Sequence, residues 1–263
     1  MNGVSAVMRR ELRSYFSTPL AYVFIVIFLV LSGWFTFNFG NFYNGGQASL
    51  APFFNYHPWL YLFLVPALSM RLWAEERKTG TIELLLTLPL EMWESVTGKF
   101  LASWLFTSMA LFLTFPIWIT VNYLGDPDNG VILAAYMGSL LMAGGFLAVG
   151  SFISATTNNQ VIAFILTVVV CFVFLLAGFQ PMLSPLVGWV PQTIIDSIAS
   201  LSFLTHFSSI SKGVIDLRDI VYFALLISTF LYANVLVLNM KRNQNHIDVL
   251  LVREAWALII LIP

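Results

Sequence analysis

Six stretches of this chain run for roughly the length of a bilayer core, and none of them has a charged side chain in its central part. An apolar run of about 18 to 20 residues is what a helix needs to cross hydrocarbon. A water-soluble fold cannot bury six of them, so the sequence predicts an all-α polytopic membrane protein. The expected spans are about 20–37, 53–73, 100–123, 131–154, 161–179 and 220–240. Composition agrees. Hydrophobic residues make up 59% and charged residues 10% of 263 positions, where a soluble domain carries about a quarter charged. Pro58, Pro66 and Pro116 fall inside expected spans, where neighbouring helices can take up the carbonyls they free.

Charge placement sets the orientation. Arg9, Arg10 and Arg13 precede the first span, Arg71, Arg77, Lys78 and Lys99 lie between the second and third, and Lys241, Arg242 and Arg253 follow the sixth. The connections 38–52 and 124–130 have no basic residue. Basic residues are retained on the cytoplasmic side, so both termini and the 73–99 loop are expected there. The segment 180–218 is apolar but broken by Pro181, Pro185 and Pro191, and is expected to form short helices at the outer surface. Residues 1–242 are read as one transmembrane domain and 243–263 as a tail without an assigned structure. No removable signal peptide is expected at the start.

Residues 4–16 wind at about 100° per residue into two faces. Val4, Val7, Met8, Leu12 and Tyr15 share one side, and Arg9, Arg10 and Arg13 the other, as in a helix lying on an anionic leaflet. Glu11 falls near the apolar side, which calls for an ionic partner elsewhere in the fold.

The loop itself holds a dense run of charge: Glu75, Glu76, Arg77, Lys78, Glu83, Glu91, Glu94 and Lys99. Thr79-Gly80 is expected to break a helix, and Thr81 to cap a new one with Glu83 in its first turn. Pro89 ends that helix, since the residue before a proline leaves the α region. A helix of about two turns cannot hold alone and needs something to pack against. Trp93, Val96 and Phe100 then recur at helical spacing into the third span.

The run EERKTGTIELLLTLP at 75–89, followed by GKF at 98–100, resembles the signature of ABC-2 type transporter permeases. RRELRSYFSTPLAYV, GNFYNGG and APFFNYHPWLYLFLVPALSMR are similar to the gliding-motility branch of that family, and the likeness covers about residues 7–242. The resemblance implies a coupling helix seated on a separate ATPase subunit, carried by Glu75, Glu76, Arg77, Thr79, Gly80, Thr81, Glu83, Leu84 and Leu85. It implies a second permease subunit, identical or not, and an envelope-side auxiliary protein, in a bacterial cytoplasmic membrane. ATP and Mg would be bound by the ATPase, and no cofactor by this chain. That division agrees with the absence of a G-x-x-x-x-G-K-[ST] phosphate loop, since TGKF has the lysine without the rest.

Two other readings compete. His57, Asp196 and His206 all fall on the expected outer side and could serve an intramembrane enzyme, yet no HExxH, GxSxG or paired-carboxylate spacing accompanies them. A passive channel or scaffold is the other. Nucleic-acid binding and metal binding are not expected. Cys171, alone in VVVCFVF, reads as a small hydrophobe, buried or facing lipid. Gly138, Gly144, Gly145 and Gly150 in the fourth span suit close helix packing more than a substrate path.

Overall fold

The computed structural model describes residues 3–40, 42, 48–82, 91–186 and 191–260. Among them there is no strand, and most are helical. Helix α1 (Gly3–Ser17) is followed by α2 (Pro19–Trp34), which continues through a π-helical turn at Phe35–Phe39. Next come α3 (Ala51–Asn55), α4 (His57–Ser69) and α5 (Arg71–Lys78). Helices α6 (Met92–Phe112) and α7 (Phe115–Leu124) lead to α8 (Asn129–Thr156) and α9 (Gln160–Leu176). Short helices α10 (Gln180–Leu183), α11 (Gln192–Ala199) and α12 (Phe203–Ser211) precede α13 (Leu217–Ile260).

Among the described residues, four helical stretches are long and apolar enough to cross a membrane: Ala21–Phe39, Met92–Leu124, Asn129–Thr156 and Leu217–Arg242. These coincide with the expected first, third, fourth and sixth spans. The expected fifth is a shorter apolar helix, Gln160–Leu176. The expected second span is no single helix, because it is cut at Tyr56 and Met70 into α3, α4 and α5. Pro58 sits in the first turn of α4, where a proline costs no hydrogen bond. At the lower cut a serine from another helix does the work. Ser154 Oγ of α8 donates to Met70 O (2.8 Å) and accepts from Trp73 N and Ala74 N (3.1 Å each), which satisfies the backbone groups that the break releases.

Helix α8 is the centre of the bundle, packed on by α4, α5, α6, α9, α12 and α13. Its glycines allow this approach. A Cβ at Gly144 would lie 2.9 Å from Ile227 and 3.1 Å from the Trp104 indole nitrogen, and one at Gly150 would collide with Ser69. Removing the side chains lets backbones come close where lipid supplies no hydrophobic drive between helices. Cys171 is buried. The segment after α9 does form short helices, and α13 carries its helical backbone on from Arg242 to Ile260, where the sequence assigned no structure.

Candidate functional site

The elbow joining α5 to α6 is where the charged loop meets the bundle. Helix α5 ends at Thr79, and Gly80 takes φ +74, the left-handed conformation that glycine adopts without steric penalty. The expected break is therefore real. Thr79 Oγ donates to Glu75 O (3.0 Å) and Thr81 Oγ to Glu76 O (3.3 Å), so both threonines reach back to the carbonyls of the helix they leave. Glu83, Leu84 and Leu85 lie outside the described residues. The chain re-enters at α6 through a capping box, with the Glu91 side chain accepting from the Glu94 backbone N–H and Glu94 Oε2 accepting from Glu91 N (3.3 Å). Val96 and Phe100 are buried as expected, but Trp93 is exposed, its indole donating to Glu91. Two residues from the cap, Trp93 lies off the buried stripe.

Four charges lock α1, α5 and α6 together. Lys99, on the buried stripe of α6, is 2% exposed and donates to Leu72 O (3.0 Å) and to Glu76 Oε1 (2.7 Å). Glu11 Oε1 stands 3.3 Å from the same ammonium, which lies 5.0 Å above the Trp73 ring. Arg10 closes the group, 2.7 Å from Glu11 and 3.4 Å from Glu76. Burial alone would raise the Glu11 pKa, but Lys99 and Arg10 outweigh it and hold the carboxyl below its usual value. Here is the ionic partner that Glu11 required. A buried ammonium facing two carboxylates and a carbonyl is satisfied in a way that a lone one could not be.

Below this cluster α1 lies against α6 at a notch. A Cβ on Gly98 would come within 2.8 Å of Val7, and Tyr15 bonds Ser103 Oγ (3.0 Å) while stacking on Phe106. Arg9, Arg10 and Arg13 are exposed, and Val7 and Tyr15 buried, which is the two-faced helix that the sequence predicts.

The remaining loop residues divide. Glu75 pairs with Arg71 one turn earlier (2.6 Å). Arg77 turns toward the end of α8, with Nη1 donating to Thr157 O (3.2 Å) and Asn158 Oδ1 (3.3 Å). Burial without an acidic partner draws the Arg77 pKa down. Lys241 of α13 donates to Ala155 O (3.3 Å), so two cations serve the carbonyl end of one helix. Sequence reasoning used Lys99 and Lys241 only to set the orientation and gave neither a partner. The signal for Lys99 was available: Val96, Lys99, Ser103 and Phe106 recur on one helical face, and the lysine is its lone charge.

The competing outer-side residues do not gather. His57 bonds Ser139 Oγ (2.8 Å), which also meets Tyr61 OH (2.7 Å), and its ring is enclosed by Phe53, Phe54 and Phe28. His206 sits between Asp219 (2.6 Å) and Ser200 O (2.9 Å). Asp196 and His206 line one cavity of about 250 Å³, but Asp196 accepts from Gln192 and His57 is not part of the lining. Among the described residues no group of three or more metal-ligating side chains forms.

Helices of this length and apolarity, wound about a glycine-rich centre, define a multi-pass membrane protein. The family model described as ABC-2 family transporter protein matches residues 59–240, and the chain belongs to that family of membrane permeases. No curated protein matches it. The matched region begins within α4 and takes in the elbow and α13 as far as Met240, while α1 and α2 lie before it.

Proposed function

We propose that this chain is the membrane subunit of an ATP-binding cassette transporter of the gliding-motility branch. It would couple ATP hydrolysis on a separate ATPase chain to export, or to force transmission, across the bacterial cytoplasmic membrane. In this reading the chain crosses six times with both termini in the cytoplasm. The broken α3–α5 run and Gln160–Leu176 serve as second and fifth spans, and residues 1–242 form one transmembrane domain. A second permease subunit completes the path, and ATP with Mg is held by the ATPase.

The observation that carries it is the elbow. Its two roots, α5 and α6, are bound to each other and to α1 through Lys99. A push received by residues 75–85 is then delivered to whole helices and not absorbed in a loop. Ion or proton conduction has less support, because the central parts of the spans hold no ionisable pair. The coupling role is tested by affinity purification from native membranes. An ATPase subunit is expected to co-purify with the parent chain and to be lost from Glu83→Arg, which still inserts. Full recovery of the ATPase by that variant would refute the assignment of Glu83. Absence of any ATPase with the parent chain would refute the reading as a whole.

A further inference from the structure

Arg77 and Lys241 stand apart from the ionic cluster of the elbow. They come from different helices and meet at the end of α8, on carbonyls only two positions apart, Ala155 O and Thr157 O. Among the described residues, each hydrogen bond they make is to a neutral oxygen. Among the described residues neither is in ion-pair reach of a carboxylate, whereas Arg10, Arg71 and Lys99 all are. Buried Arg77 Nη2 has no hydrogen-bond partner among the described residues. Both residues are part-buried and neither is fully enclosed. Lys241 also marks a level. It lies at the end of the apolar stretch Leu217–Arg242, with Arg242 next in the chain, where a crossing helix passes from hydrocarbon to headgroups.

We propose that Arg77 and Lys241 form a binding site for a phosphate group, and that an anionic phospholipid of the adjoining leaflet supplies it. Two neighbouring cations anchored by helix-end carbonyls repel each other, and an anion relieves that repulsion. A phosphodiester offers acceptors to the free Arg77 donors and to the ammonium together, in the manner of basic pockets between membrane helices. Asn158, which already holds Arg77 Nη1, keeps the guanidinium oriented across the pair. The site would tie α5, α8 and α13 together through a lipid. It requires only that the chain spans a membrane and does not depend on ATPase coupling.

The test reconstitutes the full chain in nanodiscs of phosphatidylcholine, with and without phosphatidylglycerol, and compares thermal unfolding. Phosphatidylglycerol is expected to raise Tm in the parent chain. Most of that gain is expected to be lost in Arg77→Gln/Lys241→Gln but kept in Arg9→Gln/Arg13→Gln, which removes the same charge from the exposed face of α1. Native mass spectrometry should find phosphatidylglycerol retained by the parent and depleted in the site variant. Lys241→Gln alone serves if the double variant does not fold, with a partial loss expected. A full gain in the site variant, or an equal loss in the α1 control, would overturn the site. Inorganic phosphate raising Tm in phosphatidylcholine discs as much as phosphatidylglycerol does would overturn the lipid as its source.

Discussion

At the scale of single residues, Lys99 decides most. Replacing it with methionine keeps the volume but leaves Glu11 and Glu76 facing each other with only the exposed Arg10 beside them, a cost on the order of 3 kcal/mol. Thermal unfolding in detergent is expected to show that loss, and Lys99→Met/Glu11→Gln/Glu76→Gln to recover much of it, since the triple variant buries no unpaired charge. Failure of the triple variant to recover would mean that the ammonium acts through Leu72 O alone. Glu11 adds a pH dependence of definite sign. Its folded pKa is depressed below 4.5, so its contribution is fully present above that value and drains away as pH falls through the folded one. The parent chain is expected to lose more stability than Glu11→Gln between neutral pH and about pH 4. Parallel losses would show that Glu11 is not held by Lys99 and Arg10. Gly80 is a separate matter. No atom lies within 4 Å of a Cβ built there, so Gly80→Ala meets only the left-handed backbone penalty, roughly 1 kcal/mol, and Gly80→Asn less.

Among elements, the cut between α4 and α5 is the joint to probe. Three backbone groups around Met70 depend on one hydroxyl, Ser154 Oγ. Ser154→Ala leaves them without a partner inside the bundle, at about 1–3 kcal/mol. Hydrogen exchange is expected to accelerate at Trp73 and Ala74 while the middle of α8 stays protected. Uniform exchange across both helices would mean that the break is held by other contacts. Helix α5 runs from the break to the elbow, so the same hydroxyl helps to fix the angle at which α5 leaves α4.

For the whole molecule, the crossing number can be read by labelling. In a Cys171→Ser background, cysteines replacing Asp126 and Lys212 are expected to react with an impermeant maleimide from outside intact cells. One replacing Thr79 is expected to react only after permeabilisation. All three positions are exposed. Reaction at Thr79 from outside would invert the proposed orientation, and a split between Asp126 and Lys212 would change the number of crossings.

What the sequence determined by itself was the helical class, the apolar stretches, the two faces of α1, the break at Thr79-Gly80 and the family signature. These are local properties. Hydrophobic run length, helical period and glycine's freedom at positive φ are set by the residues within a few turns. It also showed that Glu11 needed a partner, but not which one. Lys99 lies far along the chain, and only the packing of α1 into the Gly98 notch brings the two together. The cut at Met70 was invisible for the same reason. No proline or glycine stands there, and the group that stabilises it, Ser154, arrives from α8. Trp93 fitted the period of a buried stripe, yet the helix begins at Met92 and turns that side chain outward. Tertiary structure decided which charges are paired, where a helix is interrupted and which cations rest on helix-end carbonyls. Each of those depends on a partner that folding brings from another helix, and no window of sequence contains both.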